Sequence, residues 1–149
     1  MESAFKCFVL MTPTKFGLVG VKVANILYIG FGGFLGSILR YIFSGYMQGL
    51  LRSADFPYGT IAVNVTGCLI IGFLSQLAES QGVFNSEARA FLFIGFLGGF
   101  TTFSTFGNET VNLLRDSEKL LALVNIAGHI VSGLGAVWLG RTLAYVIWR

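Results

Sequence analysis

Charge is scarce in this chain. Seven acidic and ten basic residues fill only 11% of its 149 positions, against about 25% in an ordinary soluble domain. Hydrophobic residues reach 54%. One domain of this size cannot hide that much apolar surface from water, so the expected medium is lipid. Cysteine is nearly missing as well. Cys7 and Cys68 make no disulfide framework, and Cys68 stands inside an apolar run, where a thiol packs as a small hydrophobe. The chain lacks C-x-x-C, H-E-x-x-H, a P-loop and the Rossmann glycine pattern, so no motif points to an enzyme. No nucleic-acid partner is expected.

What the chain has instead is length of apolar run. A hydrocarbon core of about 30 Å takes about 20 apolar residues in a helix. Four runs qualify: residues 25–48, 59–78, 88–114 and 120–148. The breaks between them are short and polar. Pro57 stands just before the second run, a helix-start signal, and Asn85-Ser86-Glu87 is placed to cap the third. Arg115 to Lys119 is a tight charged turn. Short turns imply antiparallel neighbours, so the expected fold is an all-α integral membrane protein, a four-helix transmembrane domain over residues 25–149. Residues 1–24, with Lys6, Lys15 and Lys22, read either as an interfacial helix or as a tail.

The charges give a weak topological instruction. With four spans both termini share a side, which holds Lys6, Lys15, Lys22, Arg89 and Arg149; the other side holds Arg52, Arg115 and Lys119. Without the tail the two sides nearly balance, and a chain with so little positive-inside bias is free to insert both ways. Of the 20 glycines, Gly32 and Gly36, and Gly95 and Gly99, are spaced for close contact between helices.

Polar groups at membrane depth face a protein interior or a wet path. Arg40 in the first run reads either as a snorkelling interfacial arginine or as an electropositive mouth that draws in anions. Thr60 and Asn64 lie four apart on one face of the second helix; Asn64 bonds either to another helix or to something passing. The stretch GGFTTFSTFGNE, residues 98–109, sets a glycine pair and hydroxyls at mid-span. It reads as a helix interruption around Gly98, Gly99, Thr101 and Thr102, with carbonyls freed for another ligand. Beyond the break Phe103 and Phe106 share a face, and Ser104, Thr105 and Glu109 form a hydroxyl track ending in a carboxyl. In the fourth run Asn125, His129 and Ser132 recur at four and three. Amide and hydroxyl donors with phenyl ring edges suit a small anion shedding its water, held weakly at several sites as conduction requires.

Three motifs carry a resemblance. GGFTTFSTF, residues 98–106, closely resembles the third-helix signature of the Fluc (CrcB-type) fluoride channels. GTIAVNVTG, residues 59–67, resembles their second-helix motif, and GGFLGSILRY, residues 32–41, the first. The likeness spans residues 26–147. It implies an antiparallel, dual-topology homodimer with the third helix broken at its centre. It also implies a structural sodium ion (Na+) held by backbone carbonyls matching Gly98 and Thr101 of both subunits, and two fluoride pores per dimer. The pore phenylalanines fall on Phe103 and Phe106, the pore asparagine on Asn64, the hydroxyl track on Ser104, Thr105 and Glu109, and the vestibule arginine on Arg40. The implied role is passive fluoride export across the cell (inner) membrane, protecting a microbe from fluoride that enters as HF. In the fourth helix Gly133 falls where a serine is expected, so Asn125, His129 and Ser132 enter as pore candidates from the polar stripe, not from the motif.

Three rivals share the scaffold. A proton-coupled exporter of the small multidrug type needs an acid deep in the bundle, and the first helix has none. A non-conducting structural subunit accounts for the glycines but not for the hydroxyl and phenyl track. A fluoride–proton antiporter would titrate His129 and Glu109.

Overall fold

A computed structural model of the chain describes residues 22–51 and 56–148. The expected N-terminal segment falls almost wholly outside the described residues; its last two members, Val23 and Ala24, already belong to the first helix. Among the described residues every regular element is helical. Helix α1 is Val23–Leu51, α2 is Tyr58–Gln81, α3 is residues 86–100, α4 is Phe103–Arg115 and α5 is Lys119–Ile147. Helices α3 and α4 together form one span, Ser86–Arg115, so four spans of 24 to 30 residues are long and apolar enough to cross a membrane.

The ends follow local chemistry. Pro57 precedes α2, where its missing N–H costs nothing. Gly82, at φ 62°, closes α2, and its amide donates to the Ala78 carbonyl, the left-handed stop that glycine makes without strain. Asn85 caps α3 by accepting from the Ala88 amide at 2.8 Å. The turn between α4 and α5 folds back over itself, with the Glu118 amide donating to the Leu113 carbonyl at 2.8 Å.

Packing depends on missing side chains more than on large ones. Helix α1 lies on α3 along the two predicted glycine pairs. A Cβ on Gly99 would stand 2.6 Å from the Gly33 carbonyl oxygen, and one on Gly95 would stand 2.7 Å from that of Ile29. Gly32 and Gly36 meet the α3 backbone from the other side in the same way. Helices α2 and α5 form the second tight pair, with Gly72 against the Val137 backbone and Gly140 against that of Leu69. Lipid-solvated helices gain nothing from burying leucine against leucine, so close backbone contact supplies the dispersion energy that holds them. The large apolar residues point outward instead: Leu27, Phe31, Phe34 and Ile42 on α1, and Leu123, Val131, Leu134 and Trp138 on α5 are all exposed. In a membrane this surface faces acyl chains or another subunit.

The break itself is displaced from where the glycines suggest it. Gly98 keeps helical angles, φ −64° and ψ −35°, and Gly98–Phe100 is the last helical segment of α3. The chain leaves the helix at Thr101 (φ −82°, ψ 159°) and Thr102 (φ −149°, ψ 115°). Gly99 stays in the helix with its backbone against Gly33 of α1, while a Cβ on Gly98 would meet no atom of α1 within 4 Å. The two β-branched threonines, poor helix formers, take the extended conformation.

Candidate functional site

The centre of the site is the two-residue gap between α3 and α4. Leaving the helix frees backbone groups that must find partners. The Thr102 amide donates to Asn64 Oδ1 at 2.8 Å, and Asn64 Nδ2 donates to the Thr102 carbonyl at 3.0 Å. One side-chain amide thus pairs with both backbone groups of one residue, as a neighbouring strand would. Asn64 keeps the second N–H of its Nδ2 beyond this pair. The Thr101 carbonyl accepts from Arg40 Nη1 at 3.3 Å. Thr102 then caps α4, its Oγ1 accepting from the Thr105 amide at 3.3 Å, and its hydroxyl also meets those of Thr105 (2.9 Å) and Ser104 (3.3 Å).

Arg40 therefore has a different setting from the helix-end position read in the sequence. Helix α1 runs on to Leu51, so Arg40 lies about three turns inside it. Its guanidinium is committed to the break rather than snorkelling to an interface. A cation at this depth is costly unless it is partnered or beside a wet cavity, and Arg40 has both. A cavity of about 850 Å³ lies along α1, α2 and α4, and its lining includes Arg40, Thr60, Thr102, Thr105, Glu109 and Asn112. Glu109 extends the track on α4, and its Oε1 accepts from Thr60 Oγ1 at 2.6 Å.

The cavity gathers four of the sequence-predicted residues, Arg40, Thr60, Thr105 and Glu109. Asn64 reaches the same place through Thr102. Phe103 and Phe106, on α4 with ring centroids 5.4 Å apart, are outside the cavity lining. Phe103 is 82% exposed on the outer face of the subunit, while Phe106 turns toward α5 and meets the His129 ring at 4.3 Å. Ser104 is exposed at the start of α4. The α5 stripe divides. Asn125 is wholly buried and donates to Thr110 Oγ1 at 2.9 Å, an interhelical bond. His129 Nδ1 bonds the Asn125 carbonyl at 3.0 Å, and the Ser132 hydroxyl donates to the Gly128 carbonyl of its own helix. None of these three lines the cavity.

Sequence reasoning missed part of the lining. Ser37, Ser44 and Gln48 share the cavity wall with Arg40, at spacings of three, four and four along α1. That is a helical polar stripe, and the period was available to be read. Gln48 also ties the ends of α1 and α2, donating to the Phe56 carbonyl at 2.9 Å and accepting from the Gly59 amide at 3.0 Å. Thr110 gave no such signal, because nothing in a sequence pairs it with Asn125.

The carbonyls proposed for a cation can be tested against this geometry. The helical partner of the Gly98 carbonyl would be the Thr102 amide, which is taken by Asn64. Gly98 is also exposed. The Thr101 carbonyl, bonded once by Arg40, has a second lone pair. Both groups fit a hard cation, but two oxygens from one subunit fall well short of a full shell.

Comparison with known proteins extends the reading. A family model described as CrcB-like protein, Camphor Resistance (CrcB), matches residues 27–141. The chain is 43% identical to fluoride-specific ion channel FluC 3 of Methanosarcina barkeri, over 80% of this chain and 89% of that protein. It is 44% identical to fluoride-specific ion channel FluC of Chlorobium chlorochromatii, over 80% and 91%, and 44% identical to its namesake in Chlorobaculum tepidum, over 80% and 94%.

Proposed function

The chain belongs to the CrcB-like protein family, and from that premise we propose that it is a fluoride-specific ion channel giving passive fluoride export across the cell membrane. It is a multi-pass membrane protein, not an enzyme. The observation that carries the reading is the break at Thr101 and Thr102, paired by Asn64 and faced by Arg40, at the wall of a polar cavity. A passive path needs donors that replace hydration without trapping the ion. The cavity lining has them: one guanidinium, Arg40, for long-range attraction, then the hydroxyls of Thr60 and Thr105 and the amide of Asn112 for weak contact. Fluoride drawn in by Arg40 meets the second N–H of Asn64 and the hydroxyls of Thr105 and Ser104. The edges of Phe103 and Phe106 carry the positive end of the ring quadrupole. Export down its gradient limits the fluoride that accumulates after HF crosses the bilayer.

The working unit in this proposal is an antiparallel, dual-topology homodimer. The near balance of charge on the two sides outside residues 1–24 supports it, and so does Phe103, a candidate pore residue left 82% exposed on one subunit. A second copy would cover that ring and bring a second pair of Gly98 and Thr101 carbonyls to the crossing. These four oxygens would hold a sodium ion, which would supply a fixed positive charge and tie the two broken helices together. Exchange of an organic cation for protons is not favoured: of the acids that line the cavity among the described residues, Glu109, Asp116 and Glu118, the one nearest the break in the chain is Glu109, bonded to Thr60.

The test is passive efflux from liposomes loaded with equal fluoride and chloride, with a potassium ionophore clamping voltage. Rapid fluoride release with chloride retained is expected. Retention of both ions by folded protein would remove the channel reading.

A further inference from the structure

The half-helix α4 carries both candidate pore rings, yet only Thr110 and Leu113 of its residues are buried. Its rotation therefore depends on few contacts. One of them is polar and wholly enclosed. Asn125 on α5 has no exposed surface. Its Nδ2 donates to Thr110 Oγ1 at 2.9 Å, and the Thr110 hydroxyl donates to the Phe106 carbonyl at 2.8 Å. The circuit closes on the other side. The His129 ring bonds the Asn125 carbonyl through Nδ1 at 3.0 Å and lies 4.3 Å from the Phe106 ring. Since a carbonyl only accepts, Nδ1 must be the protonated nitrogen.

We infer that Thr110 and Asn125 are positioning residues for conduction: the hydroxyl–amide bond sets the rotation of α4 and so the angle at which Phe106 presents its edge to the ion. Neither residue touches the ion path. The energetic case is that of any buried amide in a dry interface. Removing one partner leaves the other unsatisfied, and in a span with no water to substitute, α4 turns or slides to find a new one. A rotation of one helical position turns a residue by about 100°, more than enough to move a ring edge off the path. The inference rests on the proposal that Phe106 lines the fluoride path.

The experiment measures fluoride efflux from liposomes holding the full chain. Wild type, Phe106→Ile, Thr110→Val, Thr110→Ser and the double variant Thr110→Val with Phe106→Ile are compared, and each is checked for a single symmetric size-exclusion peak. Valine keeps the shape of threonine and removes the hydroxyl; serine keeps the hydroxyl. Thr110→Val is expected to slow efflux about five- to tenfold, the size of a coupling between contacting groups. Thr110→Ser is expected to stay within about twofold of wild type. In the Phe106→Ile background Thr110→Val is expected to add little, because the residue it positions is gone. A Thr110→Ser variant as slow as Thr110→Val, or full additivity with Phe106→Ile, overturns the inference while leaving the channel reading intact. If wild type itself releases no fluoride, the channel reading fails instead. Should Thr110→Val not assemble, Thr110→Ala takes its place with the same expectations.

Discussion

The Asn64 side chain and the Thr102 backbone form a reciprocal pair, Nδ2 to carbonyl at 3.0 Å and amide to Oδ1 at 2.8 Å. Asn64 is thus a substitute for a missing turn of helix. It satisfies both backbone groups of Thr102 and keeps one N–H beyond this pair. The same residue supports the structure and, in the proposed function, meets the ion.

Asn64→Asp is the first consequence. The carboxylate retains the acceptor for the Thr102 amide but loses the donor to the Thr102 carbonyl, and two acceptors then face each other. It also sets a negative charge on an anion path. Fluoride efflux is expected to fall below detection in the liposome assay; wild-type flux would reduce Asn64 to a packing residue.

Phe103→Ile and Phe106→Ile keep apolar bulk and remove ring edges. Each is expected to slow fluoride release about five- to thirtyfold, as loss of an ion contact of about 1–2 kcal/mol would do. Phe106 is packed on His129, so Phe106→Ile is also expected to lower thermal stability, read by loss of the monodisperse peak after heating.

Arg40→Gln removes the cavity's guanidinium. Efflux is expected to drop most at low ionic strength, where the attraction reaches about 30 Å, and less at 1 M salt, where it reaches about 3 Å. A deficit that does not change with ionic strength would assign Arg40 to holding the Thr101 carbonyl alone.

Gly99→Ala and Gly30→Ala form a matched pair. A methyl on Gly99 meets the Gly33 carbonyl oxygen at 2.6 Å, while one on Gly30 meets nothing within 4 Å. Overpacking costs about 1–3 kcal/mol, so Gly99→Ala is expected to reduce the yield of folded protein and Gly30→Ala to leave it unchanged. The comparison is made by size exclusion at equal expression.

Thr60→Val breaks the bond to Glu109 and leaves the carboxyl unpaired beside the cavity. The expected result is a several-fold loss of fluoride flux with normal assembly, in keeping with about 1–3 kcal/mol for an orphaned partly buried acceptor. Unchanged flux would separate Glu109 from the path.

Much of this architecture was legible beforehand, for stated reasons. A bilayer admits few solutions, so four apolar runs translate into four spans with ends shifted by one to three residues. The caps at Pro57 and Asn85 are local chemistry and stood where expected. The glycine pairs Gly32 and Gly36, Gly95 and Gly99 named an interface before their partners were known, because only close backbone contact rewards that spacing. The polar content of GGFTTFSTFGNE announced a break and a hydroxyl track.

Other features required the folded chain. The break falls on Thr101 and Thr102 rather than on Gly98 and Gly99; Gly99 is held in the helix against Gly33 of α1. Arg40 meets the Thr101 carbonyl because α1 packs on α3 through Gly32 and Gly36, which sets its side chain beside the break. Asn125 faces Thr110, not the cavity, and Ser132 bonds its own helix. Local sequence sets which backbone groups lack partners and which side chains are free to offer one. Which of them meet depends on the rotation and crossing of helices far apart in the chain, a sum of many weak contacts that no single stretch contains.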